Sequence, residues 1–303
     1  MGGADEEVFG TVSGVTPREL VAGAVEVASL PEVYHRLAEM IDSPRHSAAD
    51  IARVLEKDPG LTARLLRIAN SAFYGFPSQI DTVSRAITVI GTRELRDLVL
   101  ATCVVRLFKG LPNDLVTMDD FWRHSIGCGL AARALAAQRG ERLKERHFVA
   151  GLLHDIGALI VYAKLPELAR EALLRARHQH QPIFLAERAV MGFDHGAVGC
   201  ELMRKWKLPE HLQEAAAFHH EPEKAPVDPR DVAMVHLADR IAEAMGLGSS
   251  GEPLPEGELA ADRAWGLAEL DPGVVEAVTE DVDRRYEETL RLLAGDDAPP
   301  PLR

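Results

Sequence analysis

The hydrophobic positions of this chain recur at helical spacing along nearly its whole length. Apolar residues three or four positions apart mark one face of an amphipathic helix, and Leu61, Leu65, Ile68 and Ala69 form one such stripe. No pair of segments alternates with the period of two that is typical of half-buried strands. The pattern therefore predicts an all-α protein, with helices over about 31–42, 47–58, 61–72, 82–90, 93–108, 118–138, 146–164, 166–179, 182–191, 194–206, 209–220, 229–245 and 272–293.

Signals at the ends of these segments support the same interpretation. Ser47 followed by Asp50 resembles a capping box that opens a helix. Asp194 is the simplest N-cap for the helix that follows it. Gly75 and Pro77 interrupt the helical pattern, so we expect a turn between the third and fourth helices.

Breaks in the pattern divide the chain into segments. The first 22 residues mix glycine, threonine and acids, and the end carries three consecutive prolines, so we expect a weakly ordered lead and a disordered tail. A turn at 110–114 separates two helical halves, which we expect to form one folded unit because the connection is short. The predicted division is 1–22 lead, 23–245 main domain (23–112 and 113–245), 246–295 C-terminal loop and helix, and 296–303 tail.

Composition narrows the class of protein. Apolar residues make up 47% of the 303 residues, enough for a sizeable core, and the net charge of −13 disfavours a broad nucleic-acid-binding surface. Cys103, Cys128 and Cys200 have no motif spacing and fit reduced thiols. No apolar run reaches membrane-spanning length, and the N-terminus is acidic, unlike a secretory signal. We therefore expect a cytoplasmic protein that binds neither membrane nor nucleic acid.

Five histidines and two aspartates stand out as candidate metal ligands. Divalent first-row metals favour neutral imidazoles and carboxylates, and a site for two ions needs about six to eight such groups, usually with one carboxylate bridging both ions. Several segments predicted to be helical supply them. The candidates are His124, His154, Asp155, His195, His219, His220 and Asp239.

The pair His154-Asp155 is the centre of this prediction. It lies within the apolar stretch Gly151–Gly157, which we predict to be helical. Burying a charged aspartate among leucines costs several kcal/mol unless a partner compensates it, and a metal cation would do so. The alternative is that Asp155 caps a neighbouring helix, with Gly157 as a helix stop.

The other candidates each leave a simpler alternative open. Neighbouring residues on a helix point about 100° apart, so His219 and His220 reach one cluster only at a helix end; alternatively, they are surface histidines at a C-terminus. Asp239 lies in an apolar stretch but could instead pair with Arg240, and His195 could be structural.

His124 lies four residues after Asp120 and four before Cys128, so all three share one helix face. We interpret Cys128 as a buried small residue, and ordinary solvated spacing remains open for Asp120. His236 shares a face with Asp239, and we expect it to pack or to support Asp239 rather than bind metal. All the simpler alternatives must hold at once for the metal site to be absent.

The order of the candidates resembles the HD superfamily of metal-dependent phosphohydrolases, in the extended form seen in HD-GYP proteins. The N-terminal half narrows the resemblance to the HDOD domain. The segments that carry it are Leu30–Val33, Ile51–Pro59, Leu61–Ser71, Tyr74-Gly75, Ala86–Gly91, Trp206–Pro209 and His219–Pro222. The resemblance implies an HD-type helical core with an N-terminal helical subdomain packed on it, typical of bacterial signalling proteins.

Two positions depart from catalytic HD-GYP proteins. Ala158 stands where those enzymes place a phosphate-contacting lysine, and the segment Pro222–Pro226 lacks Gly-Tyr-Pro. Both departures argue against hydrolysis of cyclic dinucleotides more than against metal binding.

We therefore predict a signalling output module that binds two divalent ions (iron, manganese or zinc) and acts on a regulatory protein partner or a nucleotide or phosphoester ligand. The surface of the N-terminal helices is the expected partner site. The alternative is a metal-dependent phosphohydrolase, for which Lys205, Arg123 and Arg240 are candidate substrate-binding cations by chain proximity. A nucleic-acid-binding regulator is the least favoured.

Overall fold

The structure is a computed structural model of the chain, and it describes residues 14–24, 29–41, 43, 45–108, 116–251 and 257–295. The described residues form α-helices and short 3-10 turns and contain no β-strand, which confirms the predicted all-α fold. The helices are α1 (Pro17–Gly23), α2 (Glu32–Ile41), α3 (Ala48–Leu55), α4 (Pro59–Ala69), α5 (Val83–Ile90), α6 (Thr92–Leu107), α7 (Met118–Gln138), α8 (Lys144–Leu153), α9 (Ile156–Lys164), α10 (Pro166–Gln179), α11 (Ile183–Met191), α12 (His195–Lys205), α13 (Glu210–Phe218), α14 (Pro229–Ala244), α15 (Ala264–Ala268) and α16 (Val275–Leu293).

The predicted caps are present where helices begin. Ser47 and Asp50 form both hydrogen bonds of a capping box at the start of α3. The side chain of Asp194 accepts a hydrogen bond of 2.8 Å from the backbone N–H of Ala197 and so caps α12. This cap fixes His195 in the first turn of α12.

The single helix predicted over 146–164 is wrong, because the chain breaks at His154-Asp155 into α8 and α9. Asp155 has φ −95° and ψ 7°, outside the α-helical region, so α9 leaves in a new direction. Gly157 makes this direction possible. A Cβ atom at that position would lie 2.0 Å from the carbonyl oxygen of His195, so only glycine allows α9 and α12 to approach this closely.

Part of the predicted weakly ordered lead is helical. Thr16 and Glu19 form a capping box, and α1 buries Leu20 and Val21 against α12. The helix α15, within the predicted C-terminal loop and helix, was also not predicted. The rest of the lead (1–13), the turn at 110–114 and the tail at 296–303 lie outside the described residues.

One continuous hydrophobic core joins the N-terminal helices to the later ones. It extends from Leu20 to Leu293 and includes the edge-to-face pair of Phe73 and Phe148, whose ring centroids are 5.0 Å apart. Helices α7, α8 and α14 pack together at its centre. None of the described helices combines the length and the apolar composition needed to cross a membrane.

Candidate metal centre

The structure brings together all seven residues predicted as metal ligands. His124 comes from α7, His154 and Asp155 from the break between α8 and α9, and His195 from the first turn of α12. The remaining three are His219 and His220, directly after α13, and Asp239 on α14. All are buried except His220, which is half-buried. Their role as ligands stays a prediction, whereas their convergence is a feature of the fold.

The seven side chains form two groups that meet at Asp155. His124, His154 and Asp239 make one group, and Asp155 with His195, His219 and His220 makes the other; within each group the ligand atoms lie within 4.8 Å of one another. We call these seven residues the metal cluster.

The carboxylate of Asp155 lies between the two groups. Its Oδ1 is 3.1 Å from Nε2 of His195 and 3.2 Å from Nε2 of His219. Its Oδ2 faces the other group, 3.2 Å from Nε2 of His154. A carboxylate placed in this way can bridge two cations.

Backbone carbonyls orient two of the imidazoles. Nδ1 of His154 donates a hydrogen bond of 2.7 Å to the carbonyl of Gly151, and Nδ1 of His219 donates one of 2.9 Å to that of Ala216. A carbonyl only accepts, so in the neutral ring the proton is on Nδ1 and the lone pair is on Nε2. Both lone pairs therefore point into the metal cluster, as metal-binding histidines require.

Glu187 orients a third imidazole and was missed by the sequence analysis. Its Oε2 lies 2.6 Å from Nδ1 of His195 and also accepts the backbone N–H of His195 at 2.8 Å. Glu187 is buried on the inner face of α11. A carboxylate in an apolar helix was the signal used for Asp239, and the same signal would have identified Glu187.

The inward-facing atoms lack partners that could satisfy them. Nε2 of His195 lies 3.2 Å from Nε2 of His219 and 3.1 Å from Nε2 of His220, so three ring nitrogens face one another. Among the described residues, Nε2 of His154 and of His124 and the Oδ1 atoms of both aspartates have no hydrogen-bond partner. Buried polar groups are normally satisfied, and cations placed among these atoms would satisfy them. The donor set therefore fits divalent metal ions.

The electrostatics show the same need for positive charge. Burial alone would raise the pKa of Asp155. The neighbouring His154 outweighs this effect of burial and holds the pKa of Asp155 well below its usual value. Burial likewise opposes charge on His195, yet the carboxylates of Glu187 and Asp155 raise its pKa well above the usual value. Burial, with His219 and His195 nearby, lowers the pKa of His220 well below its usual value. Without a metal, the cluster neutralises its carboxylates with protons on part of its imidazoles.

The metal cluster reaches solvent at His220. The ring of His220 stacks on Phe184, with centroids 4.7 Å apart, and lines a cavity of about 760 Å³. His236 also lines this cavity. Its hydrogen bonds do not go to Asp239, one of the two roles expected for it; its Nδ1 lies 2.7 Å from the carbonyl of His219 and its Nε2 lies 3.1 Å from Oδ2 of Asp262.

The structure also decides between the alternatives for the other residues. Arg240 pairs with Asp262 rather than Asp239, whose Oδ1 lies 3.0 Å from Nε2 of His124. Asp120 is exposed at the start of α7, and Cys128 is a buried thiol, as interpreted from the sequence.

Two of the candidate substrate-binding cations point elsewhere. Arg123 pairs with Asp119, and Lys205 donates to the carbonyl of Val21 on α1. Only Arg240, held by Asp262, stands beside the cavity at His220.

A second cluster of metal-ligand residue types lies elsewhere in the fold. Glu141, His147 and Asp231 offer ligand atoms within 4.8 Å of one another. Two guanidinium groups already occupy it: Arg139 pairs with both Glu141 and Asp231, and Arg146 pairs with Asp231. We call these five residues the arginine-paired cluster. Its carboxylates have their counter-charge, so nothing in it requires a metal.

Comparison with known proteins gives this helical fold its family. The HDOD domain model matches residues 27–222. The chain therefore belongs to the HDOD domain family. The matched range ends at Pro222, before Asp239 and the helices α14 to α16.

Solved structures support the assignment over most of the chain. An HDOD domain protein of unknown function from Geobacter sulfurreducens is 25% identical, with a TM-score of 0.75, covering 93% of this chain and 97% of that one. A proposed phosphohydrolase from Shewanella amazonensis SB2B is 26% identical, with a TM-score of 0.71, covering 91% of this chain and 98% of that one.

An uncharacterized protein of Treponema pallidum (strain Nichols) is 24% identical in sequence over 202 residues. The match covers 66% of this chain but only 39% of that protein.

Proposed function

We propose that this chain is a regulatory HDOD module that holds two divalent metal ions in the metal cluster. The observation that carries the proposal is the position of Asp155, whose two carboxylate oxygens face the two groups of imidazoles. His154, His124 and Asp239 would hold one ion, and His195, His219 and His220 the other, with Asp155 shared. Iron, manganese and zinc all accept such a mixed set.

A regulatory role is favoured over turnover by the charges around the cluster. Ala158 is buried in the first turn of α9, where the resemblance to HD-GYP enzymes leads us to look for a lysine. Among the described residues, no lysine or arginine forms an ion pair with Asp155 or Asp239. The module would therefore bind a ligand or a regulatory protein partner and respond to the state of the metal centre.

Metal analysis of the purified protein tests this proposal. We expect about two ions per chain in the wild type and a large loss in His154→Ala, measured by mass spectrometry of the metals after extensive dialysis. Loaded with iron, manganese or zinc, the protein should not hydrolyse a panel of phosphoesters. Metal content unchanged by His154→Ala would contradict the proposal.

A metal-dependent phosphohydrolase is the second candidate, favoured by one observation. The cavity is lined by His220 of the metal cluster, and its volume of about 760 Å³ is that of a small-molecule site. Bound divalent ions would supply Lewis-acid chemistry, activating water and polarising a phosphate. Hydrolysis of bis(p-nitrophenyl) phosphate by the metal-loaded protein, abolished in Asp155→Asn, would replace the first proposal with this one.

A further inference from the structure

The cavity beside His220 is closed on one side by a segment that follows the family-matched range. His220, Pro222 and Glu223 line it from the end of α13, and His236 lines it from α14. The opposite wall consists of Asp262, Arg263, Ala264, Gly266 and Leu267, from the start of α15. The C-terminal segment 259–268 thus completes a pocket that the matched residues 27–222 do not close by themselves.

The wall is held in place by the carboxylate of Asp262. Its Oδ2 pairs with Arg240 and lies 3.1 Å from Nε2 of His236, while its Oδ1 accepts the backbone N–H of Ala264 at 2.9 Å. Buried Trp265 adds a hydrogen bond of 2.8 Å from its indole N–H to the carbonyl of Leu259. The backbone on both sides of residue 263 is therefore fixed.

Arg263 is the cation that this wall presents to the cavity. Its neighbour Asp262 is already paired with His236 and Arg240, and among the described residues Arg263 itself has no ion-pair or hydrogen-bond partner. A guanidinium offers a planar fork of donors that matches a phosphate. Arg263 thus brings a positive charge to the wall of the cavity that His220 also lines.

The rest of the lining limits what the cavity can hold. Pro222, Ala264 and Leu267 are apolar and suit the organic part of a ligand. Glu223 also lines the cavity without a partner among the described residues, and its carboxylate would repel a phosphate placed beside it. The favourable position for an anion is therefore near Arg263.

We propose that the segment 259–268 forms the binding wall of a small organic phosphate, which Arg263 grips while the phosphate faces His220 and the metal cluster. This inference rests on the proposed function, since the metal centre is taken as the other partner of the phosphate. It adds the class of ligand and a specificity-determining residue.

Binding of phenyl phosphate and of inorganic phosphate to the metal-loaded protein, measured by isothermal titration calorimetry, tests the inference. We expect Arg263→Gln to weaken both by about tenfold, because a charge-assisted bidentate contact is lost. Glu223→Gln should tighten both by about twofold, because a repulsive charge is removed. Arg53→Gln, an equal charge change at an exposed side chain of α3, is the control and should change neither.

A second variant tests the cavity itself. Gly266 lines the cavity, and a Cβ atom there would meet nothing within 4 Å, so a side chain can be added at this position without displacing the backbone. We expect Gly266→Trp to abolish binding of phenyl phosphate while the metal content stays unchanged, with Gly266→Ala as the matched control.

The outcomes separate this inference from the proposed function. If Arg263→Gln and Gly266→Trp both bind phenyl phosphate like the wild type, with metal present, the inference is wrong and the metal-centre proposal stands. If the wild type takes up no metal, the metal-centre proposal is wrong. Binding of phenyl phosphate to the wild type and the two variants is then compared in the metal-free protein. This comparison still tests whether the cavity binds phosphate, because an arginine can hold a phosphate without a metal. If neither the metal-loaded nor the metal-free protein binds phosphate, the inference is wrong.

Discussion

Two clusters in this fold contain the same residue types but have opposite electrostatic situations. The metal cluster and the arginine-paired cluster both place histidine beside carboxylates at distances suitable for an ion. In the second, Arg139 and Arg146 supply two permanent positive charges to Asp231 and Glu141. In the first, the positive charge must come from protons on imidazoles or from a bound cation.

The comparison shows that counter-charge, rather than residue type, distinguishes a candidate metal site from a structural network. Buried carboxylates need a compensating cation in both cases. A guanidinium is part of the folded chain and cannot leave, whereas a metal ion or a proton can exchange with solvent. The metal cluster is therefore the one that can respond to the surroundings.

The largest expected effect is that of Asp155→Asn, which should remove both ions because the two carboxylate oxygens of Asp155 face the two groups. An amide is a poor bridging ligand and keeps no negative charge, so we expect metal content to fall to near zero after dialysis. Metal content per chain is the measurement. Asp239→Asn should lose mainly the ion held by His124 and His154. If Asp155→Asn retains two ions, the contrast between the metal cluster and the arginine-paired cluster is wrong.

The same substitution in the arginine-paired cluster, Asp231→Asn, should leave metal content unchanged but destabilise the fold. The side chain of Asp231 is only 13% exposed and is shared by two arginines, which would lose a partner. Breaking such a partly buried pair costs about 1–3 kcal/mol. Urea unfolding of the metal-free protein measures this loss, and a fall in metal content instead would show that the two clusters are not separate.

Removing the orienting carboxylate, Glu187→Gln, should lower metal affinity by about 10- to 100-fold without abolishing binding. Partners that orient a ligand imidazole typically contribute this much, and Glu187 holds His195 through Nδ1. A chelator competition titration gives the affinity. Glu210→Gln, at an exposed position at the start of α13, is the control, and equal affinities in both variants would exclude the orienting role.

Metal affinity should rise with pH, by about tenfold per pH unit for each proton displaced. The raised pKa values of His154 and His195 mean that both rings keep protons above pH 6.5, and a metal ion must displace them. Affinity is therefore lowest at acidic pH and increases as the pH passes 6.5 toward the raised values. Competition titrations at pH 6.5, 7.5 and 8.5 measure the slope, and a flat profile would show that the ligands are already free of protons.

Local patterns predicted much of the fold because most helices here are set by local signals. The apolar stripe of α4 and the caps of α3 and α12 are properties of a few neighbouring residues. The break between α8 and α9 was missed because the residues on both sides of His154-Asp155 are apolar and continue the helical pattern, and the direction of α9 depends on the distant contact of Gly157 with α12. The short helix α15 is held by Asp262 and Trp265 through tertiary contacts that periodicity does not reveal.

The candidate site could be predicted where a charged residue interrupts an apolar stretch of the sequence. Asp155 and Asp239 are carboxylates in apolar stretches, and both converge in the fold. Arg263 was not identified as a site residue, and His236 was not expected to line a cavity, because the distance of each segment from the cluster is set only by packing. Sequence order alone also did not show that Glu187 holds His195.

The close approach at Gly157 has a consequence for ion selectivity. Because the backbones of α9 and α12 touch there, the main-chain positions of Asp155 and His195 are held relative to each other, which narrows the distances that their side chains can span. A rigid frame discriminates between ions by radius, whereas a flexible one accommodates several. We expect a single methyl group at residue 157 to push α9 and α12 apart and so to change which metal ion the site prefers.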